Sequence, residues 1–162
     1  MSETGTLLIA WHSRTGASEA MARAAAEGAG DAACLLRADE VEPANIHAAG
    51  GYLFVCPENL ATMSGLMKEM FDRCYYPVLG KIEGRPYATA IAAGSDGEGA
   101  QRQIDRIAKG WRLKRVAAPI IICTHAQEPE RILAPKVLEP SDLAKCRDLG
   151  EGLATGLALG VF

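Results

Sequence analysis

Three short runs of this 162-residue chain carry residue types suited to gripping a phosphate and a flat ring. The first is His12-Ser13-Arg14-Thr15-Gly16-Ala17-Ser18. It offers three hydroxyls, a glycine that frees the backbone, and, where a helix follows, amides at the positive end of that helix, which favour an anion. The run is neither G-x-x-x-x-G-K nor G-x-G-x-x-G, so a terminal monophosphate suits it better than a dinucleotide pyrophosphate. The second run, Pro57-Glu58-Asn59-Leu60-Ala61-Thr62-Met63-Ser64-Gly65, is polar and small, and could lay backbone amides along the edge of a heterocycle. The third, Gly94-Ser95-Asp96-Gly97-Glu98-Gly99, is rich enough in glycine to let a ring approach the main chain. Singly, each is also an ordinary feature: a capped helix start, a strand-to-helix loop with Pro and Asn, a flexible turn. Their coincidence points to a planar phosphorylated ligand.

Other chemistry is poorly represented. The five cysteines are odd in number and form no C-x-x-C, and Cys34, Cys56 and Cys123 lie in or beside apolar runs as small hydrophobes. His12, His47 and His125 are far apart and lack metal-ligand spacing, so no metal site is expected.

The three runs need elements that bring them to one edge. Residues 6–11 form a continuous apolar run, as a strand buried on both faces would. Residues 17–27 are Ala-rich without Gly or Pro and predict a helix. Strands follow at 32–37 and at 51–56, the latter stopped by Pro57. A helix over 65–75 has apolar residues at 66, 67, 70, 71 and 74. A fourth strand is predicted at 86–93, a helix over 99–111 and a fifth strand at 116–123. Ser141 is the expected N-cap of a last helix carrying Leu143, Cys146, Leu149, Leu153 and Leu157. Strands alternating with helices imply an α/β, doubly wound parallel sheet with helices on both faces, five strands in the order 2-1-3-4-5. In that order a ligand sits at the carboxyl ends of the strands near the switch between strands 1 and 3, where the three runs fall.

Composition bounds the rest. The chain length predicts one domain over 1–162. With 49% apolar residues, 28 Ala and 17 Gly, the core is expected to bring helices close to the sheet. A net charge of −3 gives no basic stripe for nucleic acid. The apolar runs are too short to cross a bilayer, and the first residues lack the basic start of a secretory leader. The expected compartment is the cytoplasm, with neither nucleic acid nor membrane as partner.

The residues carrying these features resemble the flavodoxin-like FMN proteins, particularly the NAD(P)H-dependent FMN reductase and quinone oxidoreductase branch. The run from Ser13 to Ser18 is similar to their phosphate loop, (S/T)-x-T-G-x-(T/S). Residues 57–73, with Lys68 and Asp72-Arg73, resemble their isoalloxazine loop and the helix after it. Residues 93–99 match their third, glycine-rich loop. The likeness spans nearly the whole chain. It implies a flavodoxin-like three-layer sandwich that binds FMN. Ser13, Arg14, Thr15, Gly16, Ala17 and Ser18 would hold the phosphate. Pro57, Glu58, Asn59, Leu60, Ala61 and Thr62 would meet the ring, and Gly94, Ser95, Asp96 and Gly97 would close its other edge. The flavin would carry the redox chemistry, so no catalytic side chain is required.

Two functions are then open. Carrier flavodoxins typically sandwich the ring between aromatics, and many are strongly acidic. Neither ring loop here contains Trp, Tyr or Phe, and the net charge is small. An uncovered ring face could admit NAD(P)H as electron donor and a quinone, flavin or similar small-molecule acceptor, which favours an enzyme. A non-enzymatic electron carrier for a protein partner is the alternative, and a phospholigand module without redox function is a third reading. Trp11 and Trp111 read as core. Tyr75-Tyr76 before Pro77 reads as a helix-end cap, or as a reach towards a neighbouring subunit in a homodimer or homotetramer. The stretch 124–140 holds Pro129, Pro135 and Pro140. It forms either a lid or dimer contact beside His125, with Arg131 or Lys136 meeting an NAD(P)H phosphate, or a plain surface excursion before the last helix.

Overall fold

A computed structural model describes residues 5–162. The reading of the first residues as lacking a leader falls mainly on residues 1–4, outside that span. The central strand β1 (Leu7–Trp11) is buried along its whole length. It pairs in parallel with β2 (Ala33–Arg37) on one side and β3 (Gly51–Asn59) on the other. Strand β5 (Pro86–Ala93) pairs in parallel with β3, and β6 (Lys114–Arg115) and β7 (Ile120–Cys123) both pair in parallel with β5. The expected 2-1-3-4-5 order is therefore present, with its fifth position filled by two short strands.

The split has a local cause. Tyr87 pairs with Arg115 and Ala90 with Ile120, so three steps on β5 face five on the edge. The edge carries two extra residues within 116–119, where Pro119 also lacks the N–H a ladder needs.

Strand β3 also departs from expectation, running through Pro57 to Asn59. Its neighbour β1 ends opposite Val55, whose carbonyl accepts the His12 N–H. Pro57, two residues on, faces the same side, where no strand remains, so its missing N–H costs no ladder bond. The Pro57 carbonyl accepts the Ser64 N–H instead. Asn59 then turns back into β4 (Thr62–Met63), antiparallel to the end of β3.

Side chains of β1 alternate between two cores. Leu7 and Ile9 join α1 (Ala17–Ala29) and α6 (Pro140–Leu159) on one face. Leu8 and Ala10 join α3 (Gly65–Val78) and α4 (Glu98–Gly110) on the other, with the unanticipated short α2 (Pro43–Ala48) packed on α3. The helix α6 starts one residue earlier than its expected cap at Ser141, because Glu139 is the cap and Pro140 occupies the first turn, where its lost N–H is not missed. The segment 124–140 contains a further short helix, α5 (Pro129–Leu133).

The small-residue composition finds its use between α1 and α6. A Cβ on Gly28 would lie 1.9 Å from the Arg147 carbonyl oxygen, and one on Gly150 would lie 1.9 Å from that of Ala25. The two backbones thus touch where any larger residue would separate them. The aromatics, by contrast, gather on the α3/α4 face. Phe71 packs between Phe54 and Trp111, and Tyr75 stacks on Trp111 with ring centres 5.6 Å apart. Tyr75 packs on the core as expected, but within α3, which continues through Pro77 to Val78, and Tyr76 is exposed. Trp11 and Trp111 are both buried. No helix among the described residues is long and apolar enough to cross a membrane.

Candidate functional site

The carboxyl ends of β1, β3 and β5 open into one cavity of about 300 Å³, at the lower end of the range for small-molecule sites. All three runs singled out in the sequence reach it. Ser13, Arg14, Thr15, Ala17 and Ser18 line it after β1; Pro57, Glu58, Asn59, Leu60 and Ala61 line it at the end of β3; Gly94 and Ser95 line it after β5. The remaining expected residues, Gly16, Thr62, Asp96 and Gly97, do not line it: Thr62 and Asp96 are exposed, and Thr62 lines a neighbouring cleft with His12 and Gln103.

The first loop is built as an anion cradle. Gly16 takes a left-handed backbone (φ 102°) as the N-cap of α1, and its N–H donates to Ser13 Oγ at 3.0 Å. That conformation favours glycine, and it opens a helix whose first turn, through Ala17 and Ser18, lines the cavity. Ser18 is only 1% exposed, and its hydroxyl oxygen has no hydrogen-bond partner. A buried polar group without a partner is costly and marks a place where a ligand atom would complete the bonding.

The second and third loops form one unit. The hairpin turn is made by Leu60 (φ 52°) and Ala61 (φ 65°), two non-glycine residues in the left-handed region. Positive φ at both central positions is what a two-residue hairpin of this twist demands. Such conformations carry strain and are retained where the surroundings impose them. Thr62 Oγ1 donates to the Asn59 carbonyl at 3.1 Å and closes the turn. Glu58 does not present its carboxylate as a free ring-facing charge. It accepts the Gly97 N–H at 2.9 Å and the Ala100 N–H at 3.1 Å, so it caps α4 and ties hairpin to glycine loop.

A fourth wall comes from after β7: Thr124, Ala126, Ile132 and Lys136 also line the cavity. Gly94 is needed for this closure, since a Cβ there would lie 2.5 Å from the Ala126 carbonyl oxygen. The segment 124–140, expected from the sequence as a lid, a dimer contact or a surface excursion, thus supplies part of the cavity wall. The available signal was its position after the last strand, at the same sheet edge as the other three loops.

Behind the first loop, His12 Nδ1 and Ser64 Oγ are 2.8 Å apart, joining the end of β1 to the start of α3. Burial, then the nearby Arg37 guanidinium, hold the imidazole below its ordinary value of 6.5. As pH falls through that value, the unfolded chain takes up a proton that the folded ring resists, so stability declines towards acid. Urea midpoints of wild type and His12→Gln between about pH 7 and about pH 5 should show the shallower decline in the variant. Equal slopes would remove His12 as a source. The buried thiols are inert by comparison: burial pushes Cys56 up to about 12 and Cys146 up to about 11.

Comparison with known proteins completes the picture. The sequence model of the NADPH-dependent FMN reductase family matches residues 37–119, a span that holds the second and third loops but not the first. No curated protein sequence matches the chain. Among solved structures, a flavodoxin from the domain Archaea superposes with a TM-score of 0.76 at 16% identity, covering 94% of this chain and 99% of its own. A flavodoxin-like, WrbA-like protein from Agrobacterium tumefaciens gives 0.75 at 18% identity, covering 95% and 98%. The flavodiiron protein from Giardia intestinalis gives 0.76 at 17% identity, with 96% of this chain covering 36% of that one. The fold is thus flavodoxin-like, and, with just over half its length matched by the family model, the chain belongs to the NADPH-dependent FMN reductase family.

Proposed function

We propose that this chain binds FMN non-covalently in the cavity and passes hydride from NAD(P)H, through the flavin, to a quinone, flavin or similar small acceptor. The residues fit the cofactor. The unpartnered Ser18 hydroxyl, the Ser13 and Thr15 side chains and the first amides of α1 converge where a terminal phosphate would bind. The main chain of residues 57–61 and of Gly94-Ser95 would flank the ring. When bound, FMN supplies the redox chemistry, exchanging hydride or electrons with its substrates. The protein's own part is to orient and to exclude: Glu58 locks the two ring loops together, and Ala92, Ala93 and Ala126 give the cavity a small, dry floor.

The observation that carries the enzyme reading is the absence of Trp, Tyr and Phe from the cavity lining. The nearby aromatics are consumed in the core on the α3/α4 face. A ring with no aromatic cover leaves room for a nicotinamide or quinone to stack against it. One observation favours the carrier reading instead: Leu60 at 99% and Val137 at 96% exposure, with Leu133, place apolar side chains around the cavity, as a protein-docking rim would.

Reconstitution of the purified protein with FMN, followed by anaerobic mixing with NADPH and with NADH, separates the readings. Rapid bleaching of the flavin absorbance is the expected result. A yellow protein reduced by neither nucleotide is a carrier, and a protein that binds no FMN refutes both.

A further inference from the structure

Lys136 lies three residues beyond α5, far from the phosphate loop in sequence but against it in space. Its N–H donates to the Thr15 carbonyl at 2.8 Å, and its Nζ is 3.5 Å from Thr15 Oγ1. The ammonium is held by carbonyl oxygens of Arg131 (2.7 Å), Ile132 (2.9 Å) and Ala134 (2.6 Å) at the end of α5. No carboxylate lies within ion-pairing distance of it among the described residues. A full positive charge is thereby fixed, half-buried, at the lip of the cradle, with neutral partners only. The same cradle contains the buried, unpartnered Ser18 hydroxyl. Uncompensated cation and orphaned hydroxyl meet at one end of one cavity, which is the arrangement a phosphate dianion would satisfy.

We propose that Lys136 is a phosphate-binding residue. It adds from the 124–140 segment a second formal positive charge to that of Arg14 in the hydroxyl-rich loop, and so selects a phosphorylated flavin over its dephosphorylated form. This rests on the FMN reading of the cavity. It differs from the expectation that Lys136 would meet the phosphate of a nicotinamide nucleotide, because its main chain is fixed to the Thr15 loop and its ammonium lies beside Thr15 Oγ1. The competing explanation is purely structural: the ammonium only splints α5 to the loop, and its loss would loosen the cavity for any flavin alike.

Riboflavin separates the two, because it has the ring and ribityl chain but no phosphate. Apo-protein is titrated with FMN and with riboflavin, following quenching of flavin fluorescence, for wild type, Lys136→Met and Lys136→Gln; the amide of the latter can still donate to the α5 carbonyls. The expected result is FMN affinity weakened about tenfold or more in both variants, the effect of losing one unit charge beside the phosphate, with riboflavin affinity unchanged. Wild-type affinity for FMN should fall as ionic strength rises, while that for riboflavin should not. That salt measurement stands even where a variant fails to fold. Equal weakening for both flavins, unchanged FMN affinity, or a salt response shared by both ligands overturns the proposal while leaving the FMN reading intact. A wild-type protein that binds neither flavin overturns both.

Discussion

Thr15→Glu is expected to abolish FMN retention. Thr15 lines the cavity at the start of α1, half-buried, and its carbonyl is fixed by the Lys136 N–H. A carboxylate there would face the ligand's phosphate. Two unit charges about 4 Å apart at an effective dielectric near 20 repel by about 4 kcal/mol, which corresponds to a loss of roughly a thousandfold in affinity. The substitution also removes the hydroxyl and invites an ion pair with Lys136, which would neutralise one of the two cations, Arg14 and Lys136, that line the cavity. Stability should change little, because the side chain sits at the edge of the cavity, not in either core. Thr15→Ser, which keeps the hydroxyl, should bind FMN nearly as wild type does. Equilibrium dialysis with FMN, alongside a thermal melt to confirm folding, checks this. A well-folded Thr15→Glu protein that still binds FMN tightly would show that the phosphate lies elsewhere.

What could be read from the sequence follows from which interactions are local. Strand β1 is a continuous apolar run and β5 one broken only by Thr89, because both faces of each are covered, and a run of that kind announces itself. The three loops were legible because glycine and hydroxyl residues cluster after those runs, and the parallel order then dictates that they share an edge. The extension of β3 past Pro57 was not legible. Whether a proline ends a strand depends on whether the neighbour it faces is still present, and β1 stops opposite Val55. Nor was the turn at Leu60-Ala61, because neither residue favours a left-handed backbone and the conformation is imposed by contacts with α4. The partners of the Glu58 carboxylate were not legible either, because the Gly97 and Ala100 amides lie about 40 residues away along the chain. Lys136 is the extreme case, meeting Thr15 across 121 residues. Cavity walls assembled from such distant pairs have no local pattern to betray them, whereas the loop that carries the hydroxyls does.

The second large effect is expected at Gly99, where hairpin and glycine loop touch. A Cβ at this position would lie 2.1 Å from the Ala61 carbonyl oxygen and 3.3 Å from Glu58 Oε2. The first of these is a backbone atom, so no rotamer change relieves the clash. Helix α4 cannot retreat easily, since Ala100, Ile104 and Ala108 are buried against the sheet. The exposed hairpin must give way, and with it the Glu58 carboxylate that caps α4. Gly99→Ala should therefore cost about 2 kcal/mol, as overpacking of this kind does, lowering the melting temperature by roughly 4–8 °C. Because the displaced hairpin is itself a wall of the cavity, FMN affinity should fall by about thirtyfold if the same energy is spent there. Gly152→Ala is the control: it lies in α6 with nothing within 4 Å of the added methyl. That change should leave FMN binding untouched and stabilise the helix by up to about 1 kcal/mol. Glu58→Gln, which keeps one acceptor oxygen and forfeits the other, should fall between the two. If Gly99→Ala melted lower but bound FMN like wild type, the two loops would not act as one unit at the ring, and the Glu58 clamp would serve α4 alone.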